Sequence, residues 1–274
     1  MRVLLLLCLL SAAAHAVPPL PARLEETGIE GATLAFTPQH ALWSDGSAKR
    51  RWLYLPPGST IDAARPDAWE FPRGTKAWKQ FSRGGRIETR FIERLPDGSW
   101  RFAAYQWNAQ GSQALLAPPE GVPAVGIPSR ADCLACHEGA AVPILGFSAV
   151  QLGPELKRLA AQGLVRNLPP ALLESPPRLA PGLGYLHANC GHCHNDAGPL
   201  AGVELALAQR AAAPRESAER SLRSLAARRD DVLRRLRSAN PYVRMPPLGT
   251  RVVDADGVAL VESLLQSRPK ELSP

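Results

Sequence analysis

The rhythm of hydrophobic and polar positions changes partway along this chain. Between residues 51 and 107 the apolar residues come in short runs broken by turn formers. Arg51 to Leu55 ends at Pro56-Pro57-Gly58, and Thr75 to Ser82 surrounds Trp78 and ends at Arg83-Gly84-Gly85. Arg86 to Leu95 sets Ile87, Thr89 and Phe91 on one face, the period of two that a strand imposes. Pro96-Asp97-Gly98 separates that run from the aromatic stretch Ser99 to Trp107, which predicts a β-hairpin. All six tryptophans fall within the first 107 residues. An antiparallel β domain over residues 17–125 is the expectation.

Past a Pro- and Gly-rich connector at 118–130 the pattern turns helical. Gly153-Pro154-Glu155 predicts a helix start, with Leu156, Leu159, Ala160 and Leu164 at helical spacing. Residues 168–182 are Pro-rich and read as linker. Tyr185 to Asn189 reads as a short helix. Ser217 to Asn240 is the longest helix candidate, with Leu222, Leu225, Val232, Leu233 and Leu236 on one stripe. Its other faces carry Arg220, Arg223, Arg228, Arg229, Arg234, Arg235 and Arg237, either a solvated surface or a docking face for an acidic partner. A last helix begins at Asp254 as N-cap, with Val253 and Val258 as a hydrophobic staple and Val258, Val261, Leu264 and Leu265 inward.

Composition adds an export expectation. Residues 1–16 have the form of a secretory signal: Arg2, then the apolar run Val3 to Leu10, then Ala14-His15-Ala16 as a cleavage site. A membrane anchor is the alternative, but the run is short for a bilayer. Cleavage would leave a periplasmic or secreted chain that is not an integral membrane protein. The formal charge of +7 would fall to +6, and the sequence pI of about 9.5 hints at acidic partners. No nucleic-acid module and no Gly-rich phosphate loop stands out. Of five cysteines, Cys8 lies in the signal, and the other four form two units of one kind.

Those units are Cys133-Leu134-Ala135-Cys136-His137 and Cys190-Gly191-His192-Cys193-His194. Cys-x-x-Cys-His is the attachment signature of c-type haem. Two thiols add across the two vinyl groups of one haem, and the following histidine reaches the iron. The chain thus predicts two covalently bound c-type haems, on Cys133, Cys136, Cys190 and Cys193, with His137 and His194 as iron ligands. Two alternatives are a Cys₄ zinc site and a thioredoxin-like dithiol. The 57 residues between the pairs exceed usual zinc-module spacing, and no βαβ pattern surrounds either copy.

Met245 is the only methionine beyond Met1. It lies 51 residues after His194, between Arg244 and Pro246-Pro247. A lone methionine is usually core filler, but this one sits in a loop that gives packing no reason for it. A thioether suits haem iron and raises its potential, so Met245 is the expected second axial ligand. The order of short helix, Cys-x-x-Cys-His, long middle helix, Met-Pro-Pro loop and terminal helix resembles the class I cytochrome c domain over residues 181–268. The resemblance implies an all-α cytochrome fold, thioether bonds at Cys190 and Cys193, His194/Met245 ligation, and outer-sphere electron transfer. The fold class expected is therefore α+β, an antiparallel β domain followed by a class I cytochrome c-like domain. Residues 126–180 hold the first motif, a helix and the linker, and 269–274 form a tail.

The first motif has no second methionine to draw on. Its iron is either five-coordinate or held by a weaker ligand such as lysine. Among the remaining histidines, His187 is a better ligand candidate than His40, although a satisfied surface histidine is the favoured reading of it, and His192 sits inside the other motif. Leu42-Trp43-Ser44-Asp45-Gly46, the Trp52 to Gly58 stretch, Phe71-Pro72-Arg73-Gly74-Thr75 with Lys79-Gln80-Phe81, Glu88-Thr89-Arg90 and Tyr105-Gln106-Trp107-Asn108 resemble a family of exported cytochromes. Those pair such a β region with one or two haem motifs. The Phe-Pro-x-Gly-Thr segment with its lysine and phenylalanine is also similar to β-sheet cytochromes in which one axial face stays free, which would bring Lys76 or Lys79 near the first haem. An electron carrier working with a redox protein partner is the principal expectation. A haem oxidoreductase of peroxidase-like or β-sheet type is the alternative, and a β domain acting as a binding module ranks last. Asp45, Glu88 and Glu138 read as isolated structural acids.

Overall fold

The computed structural model describes residues 17–32, 34–198 and 200–267. The expected signal at 1–16 and the tail at 269–274 lie outside them. Seven strands come first: β1 Leu34–Ala35, β2 Ala48–Tyr54, β3 Ile61–Asp62, β4 Lys76–Ser82, β5 Arg86–Arg94, β6 Trp100–Trp107 and β7 Ala114–Leu116. Then follow α1 Arg130–His137, α2 Ala149–Leu152, α3 Glu155–Ala161, β8 Val165–Arg166, α4 Pro170–Glu174 and α5 Pro181–Asn189. The chain closes with α6 Pro214–Ala227, α7 Arg229–Leu236 and α8 Ala255–Gln266. The class is mixed α+β. Among the described residues no helix is long and apolar enough to cross a membrane.

Six strands form one antiparallel sheet in the order β1-β2-β4-β5-β6-β7. The hairpin expected at Pro96-Asp97-Gly98 joins β5 to β6, with Arg94 opposite Trp100 and Glu88 opposite Gln106. Gly98 adopts φ 91°, the left-handed turn conformation that glycine reaches without steric cost. Both faces of the sheet are covered. Trp78, Phe91, Ala103 and Tyr105 pack beneath the N-terminal segment around Leu24. There the Trp78 indole donates to Thr27 Oγ1 at 2.8 Å and the Tyr105 hydroxyl to the Pro21 carbonyl at 3.0 Å.

The opposite face carries Leu53, Ala77 and Ile92, and it meets Phe36, Phe71, Phe147, Leu152, Leu156 and Leu159. Residues 142–172 thus share a core with the strands. β3 and β8 pair in parallel, Ile61 beside Val165, and bind that segment back to the sheet region. The stretch read as linker contains α4, whose Leu172 is buried in this same core. Its prolines hid the element from sequence reasoning: Pro170 stands at the first helical position, where a missing N–H costs nothing.

A second core joins α5, α6, α7 and α8 through Leu183, Leu186, Leu225, Val232, Leu236, Val258, Val261 and Leu264. The helix expected over 217–240 is two helices, interrupted at Arg228 with φ −122° and ψ 21°. The residues themselves give the reason. In one continuous helix, positions 228 and 229 would fall three and four residues after buried Leu225, on the inward stripe. Both are arginines, and the break leaves both exposed. Asp254 caps α8 as expected, accepting from the Gly257 amide at 3.0 Å.

Candidate haem sites

The first motif occupies α1. Ser129 and Asp132 form a reciprocal capping box: the Asp132 amide donates to Ser129 Oγ at 3.1 Å, and the Ser129 amide to Asp132 Oδ2 at 2.9 Å. One turn on, Cys133 and Cys136 face a cavity with His137 as neighbour. The His137 ring lies 5.0 Å from the ring of Phe102 on β6. Its Nδ1 is 2.5 Å from the Pro143 carbonyl, so Nδ1 carries the proton and Nε2 keeps its lone pair. Burial first, then the charges of Lys79, His192 and Arg90, push the ring down to about 3, so it stays neutral. A neutral imidazole with one nitrogen anchored and the other free is the form an iron ligand needs.

The second motif follows α5 directly. His194 and Cys193 close a turn on the Cys190 carbonyl, with N to O distances of 2.8 and 3.1 Å. Cys190, His194 and Met245 line one cavity, whose remaining wall is mainly apolar: Leu186, Leu200, Leu205, Leu207, Val232 and Leu236 among them. The Met245 amide donates to the Arg235 carbonyl at 3.2 Å, which ties the Met-Pro-Pro loop to α7. His194 Nδ1 is buried without a partner, and burial lowers the ring's pKa. Soft sulfur, neutral imidazole and thiol around a greasy cavity are a donor set that fits a c-type haem. At the first motif, two thiols and the anchored imidazole fit it equally.

The two motifs touch. The Cys193 sulfur donates to the Ala135 carbonyl of the first motif at 3.8 Å, and the Cys136 and Cys193 thiols shift each other's pKa. Asn195 donates to the Gly139 carbonyl at 3.1 Å and to the Gly191 and His192 carbonyls of its own turn. All four cysteines are free thiols. Burial raises Cys133 to about 11 and Cys190 to about 12, and the interaction with Cys193 together with burial raises Cys136 to about 12. Those three raised thiols are poor nucleophiles, whereas the interaction with Cys136 lowers the Cys193 pKa. Among the described residues no three His, Cys, Asp or Glu side chains gather as a metal-ion site.

The remaining histidines divide. His187 lies on the wall of a different cavity, and its Nδ1 accepts the Gln209 amide at 3.0 Å, which leaves the proton on Nε2. His40 packs against α5 where Gly184 leaves room for its ring. Neither lines the first cavity. His192 does, together with Cys136, although its place in the other motif argued against it. Sequence offers no sign of this, because it depends on how the two motifs pack. Lys79 lines the first cavity too. Lys76 points to the opposite sheet face, where it donates to the Thr27 carbonyl at 2.9 Å. Strand parity separates the two lysines, since they are three residues apart on β4.

Glu88 is buried and paired with Arg90 at 2.6 Å, and the Asp45 carboxylate receives the Arg251 and Val252 amides at about 3.0 Å. Six of the eight arginines on α6 and α7 and at their ends have carboxylate partners: Arg220 with Asp196, Arg215 and Arg223 with Glu219, Arg234 and Arg235 with Asp231, and Arg237 with Glu262. That face is largely satisfied within the chain. No family model, curated protein or solved structure matches the chain.

Proposed function

We propose that this chain is an exported dihaem c-type cytochrome that passes single electrons to and from a redox partner. The observation that carries the proposal is that Met245, 51 residues beyond His194, lines the same mainly apolar cavity as Cys190 and His194. When bound, each haem supplies a one-electron ferric/ferrous couple. Cys190 and Cys193 would attach the second haem, and His194 and Met245 would hold its iron. The apolar wall excludes water and favours the less charged, reduced state. Cys133, Cys136 and His137 would hold the first haem, with the Pro143 carbonyl orienting the imidazole. The hydrogen bond from the Cys193 sulfur to Ala135, inside the first motif, supports a short path between the two centres.

The α5 to α8 segment is proposed to serve as a class I cytochrome c-like unit, and the β sheet as the scaffold for the first haem. A second reading, a haem oxidoreductase open at the first iron, draws on the wall of that cavity. It includes His192 and Lys79 but no thioether. Pyridine haemochrome analysis with mass spectrometry of the mature chain should find two covalent haems. One haem, or zinc instead, would overturn the proposal. Cyanide or nitric oxide that shifts the first haem's spectrum without reducing agents would move the assignment toward the oxidoreductase.

A further inference from the structure

The sheet face above the first motif carries a row of like charges. Arg51 on β2 stands directly opposite Lys79 on β4, and Lys79 directly opposite Arg90 on β5. All three line the cavity that holds Cys133, Cys136 and His137. The next position in the row is Ala104, which adds no charge. Like charges facing each other on neighbouring strands destabilise a sheet, and this row lies on a covered face, with Arg51 only 7% exposed. Lys49, on the same face of β2, adds a fourth cation and donates only to the Leu42 carbonyl.

Against four cations stand Glu88, which is engaged by Arg90, Asp132 on the cavity wall, whose Oδ2 accepts from the Ser129 amide and hydroxyl, and Asp254, whose charge acts on Lys49. Arg51 Nε has no partner, and the Lys79 ammonium lies over the Phe81 ring at 4.9 Å with no carboxylate beside it among the described residues. Burial, then Arg51, Arg90 and Lys49, lower the Lys79 pKa well below its ordinary value. Buried charge without a counter-ion is expensive. The chain's own carboxylates leave Arg51 and Lys79 without a salt-bridge partner among the described residues, so the row has room for further anions.

We propose that the Arg51–Lys79–Arg90 row is a carboxylate seat that receives the two propionates of the haem attached at Cys133 and Cys136. The proposal rests on the haem assignment at the first motif. Guanidinium groups grip carboxylates through two parallel hydrogen bonds, and an ammonium between them can serve either neighbour. Two strand spacings put the outer members of the row roughly 10 Å apart at the backbone, a spread suited to two carboxylates on one ring better than to one small oxyanion.

The test compares Arg51→Leu and Lys79→Met in two full-length mature proteins, the intact chain and Cys133→Ala/Cys136→Ala. Unfolding midpoints are followed in denaturant. With propionates seated, each substitution lowers the midpoint of the intact protein and raises it where the first haem is missing. The same sign in both backgrounds overturns the seat while leaving the haem assignment standing. Inorganic phosphate provides an arm that needs no change to the row. It should leave the intact protein's midpoint unmoved and raise that of Cys133→Ala/Cys136→Ala. A phosphate-dependent rise in the intact protein would mean that a free oxyanion fills the row, and would overturn the propionate assignment. Haem content measured on the same samples separates the two failures: a chain without haem at the first motif removes the underlying assignment and the seat with it.

Discussion

Met245 and His187 show how much a single side chain's surroundings decide. Met245 shares its cavity with Cys190 and His194, which turns an isolated methionine into a candidate axial ligand. Met245→Ala should lower the potential of the second haem and abolish the far-red sulfur-to-iron charge-transfer band. An unchanged spectrum would remove Met245 from the site. His187 shows the reverse, since its three-residue distance from Cys190 suggested a ligand and its hydrogen bond to the Gln209 amide makes it structural. Burial, then the charges of His40 and His192, depress its pKa from 6.5 to about 4. The unfolded chain therefore binds this proton at higher pH than the folded one. Stability is fully present above pH 6.5 and drains away as pH falls toward 4, by on the order of 2 kcal/mol after allowance for partial exposure. His187→Asn keeps an acceptor for Gln209 and removes the titration. Its unfolding free energy should vary less than the parent's between pH 7 and 4.5, and equal losses in both would refute the linkage.

The helices that frame the second site depend on close approach. A Cβ on Gly182 of α5 would lie 2.8 Å from Leu264 Cβ and 2.9 Å from the Leu260 carbonyl of α8. Neither neighbour is a free side-chain end, so Gly182→Ala must push the helices apart. A cost of about 1–3 kcal/mol is expected from overpacking, read as a fall in the denaturant midpoint. Gly202→Ala is the control, since a Cβ there meets nothing within 4 Å. Equal midpoints for the two variants would contradict the packing. At this scale the strands and the last helix were legible, because turn residues and a capping aspartate mark their ends locally. The break at Arg228 was not, because it arises from which face α6 and α7 must bury.

Across the whole molecule, the loop through Trp43 and Asp45 sews the sheet side to the helical side. Asn189 at the end of α5 accepts the Trp43 amide at 2.6 Å, and Asp45 receives two amides from 251–252. The Trp43 indole reaches the Val252 carbonyl at 3.1 Å. Asn189→Ala leaves the Trp43 amide short of a partner and should cost about 1–3 kcal/mol. The tryptophans all belong to the sheet side. Tryptophan fluorescence and helical circular dichroism should therefore unfold together in the parent and separate in the variant. Coincident curves at an unchanged midpoint would show that the seam carries no coupling.

The chemistry was written in the chain itself. Each Cys-x-x-Cys-His unit is contiguous, so the spacing of its thiols and imidazole is set by local backbone geometry and can be read without a fold. The hairpin at Pro96-Asp97-Gly98 and the cap at Asp254 were legible for the same reason. Only the tertiary structure brought Met245 into the cavity of Cys190 and His194, set the Cys193 sulfur against Ala135 of the first motif, and aligned Arg51, Lys79 and Arg90. Those relations join residues from separate elements, and they are decided by strand register and by which faces two cores must hide from water.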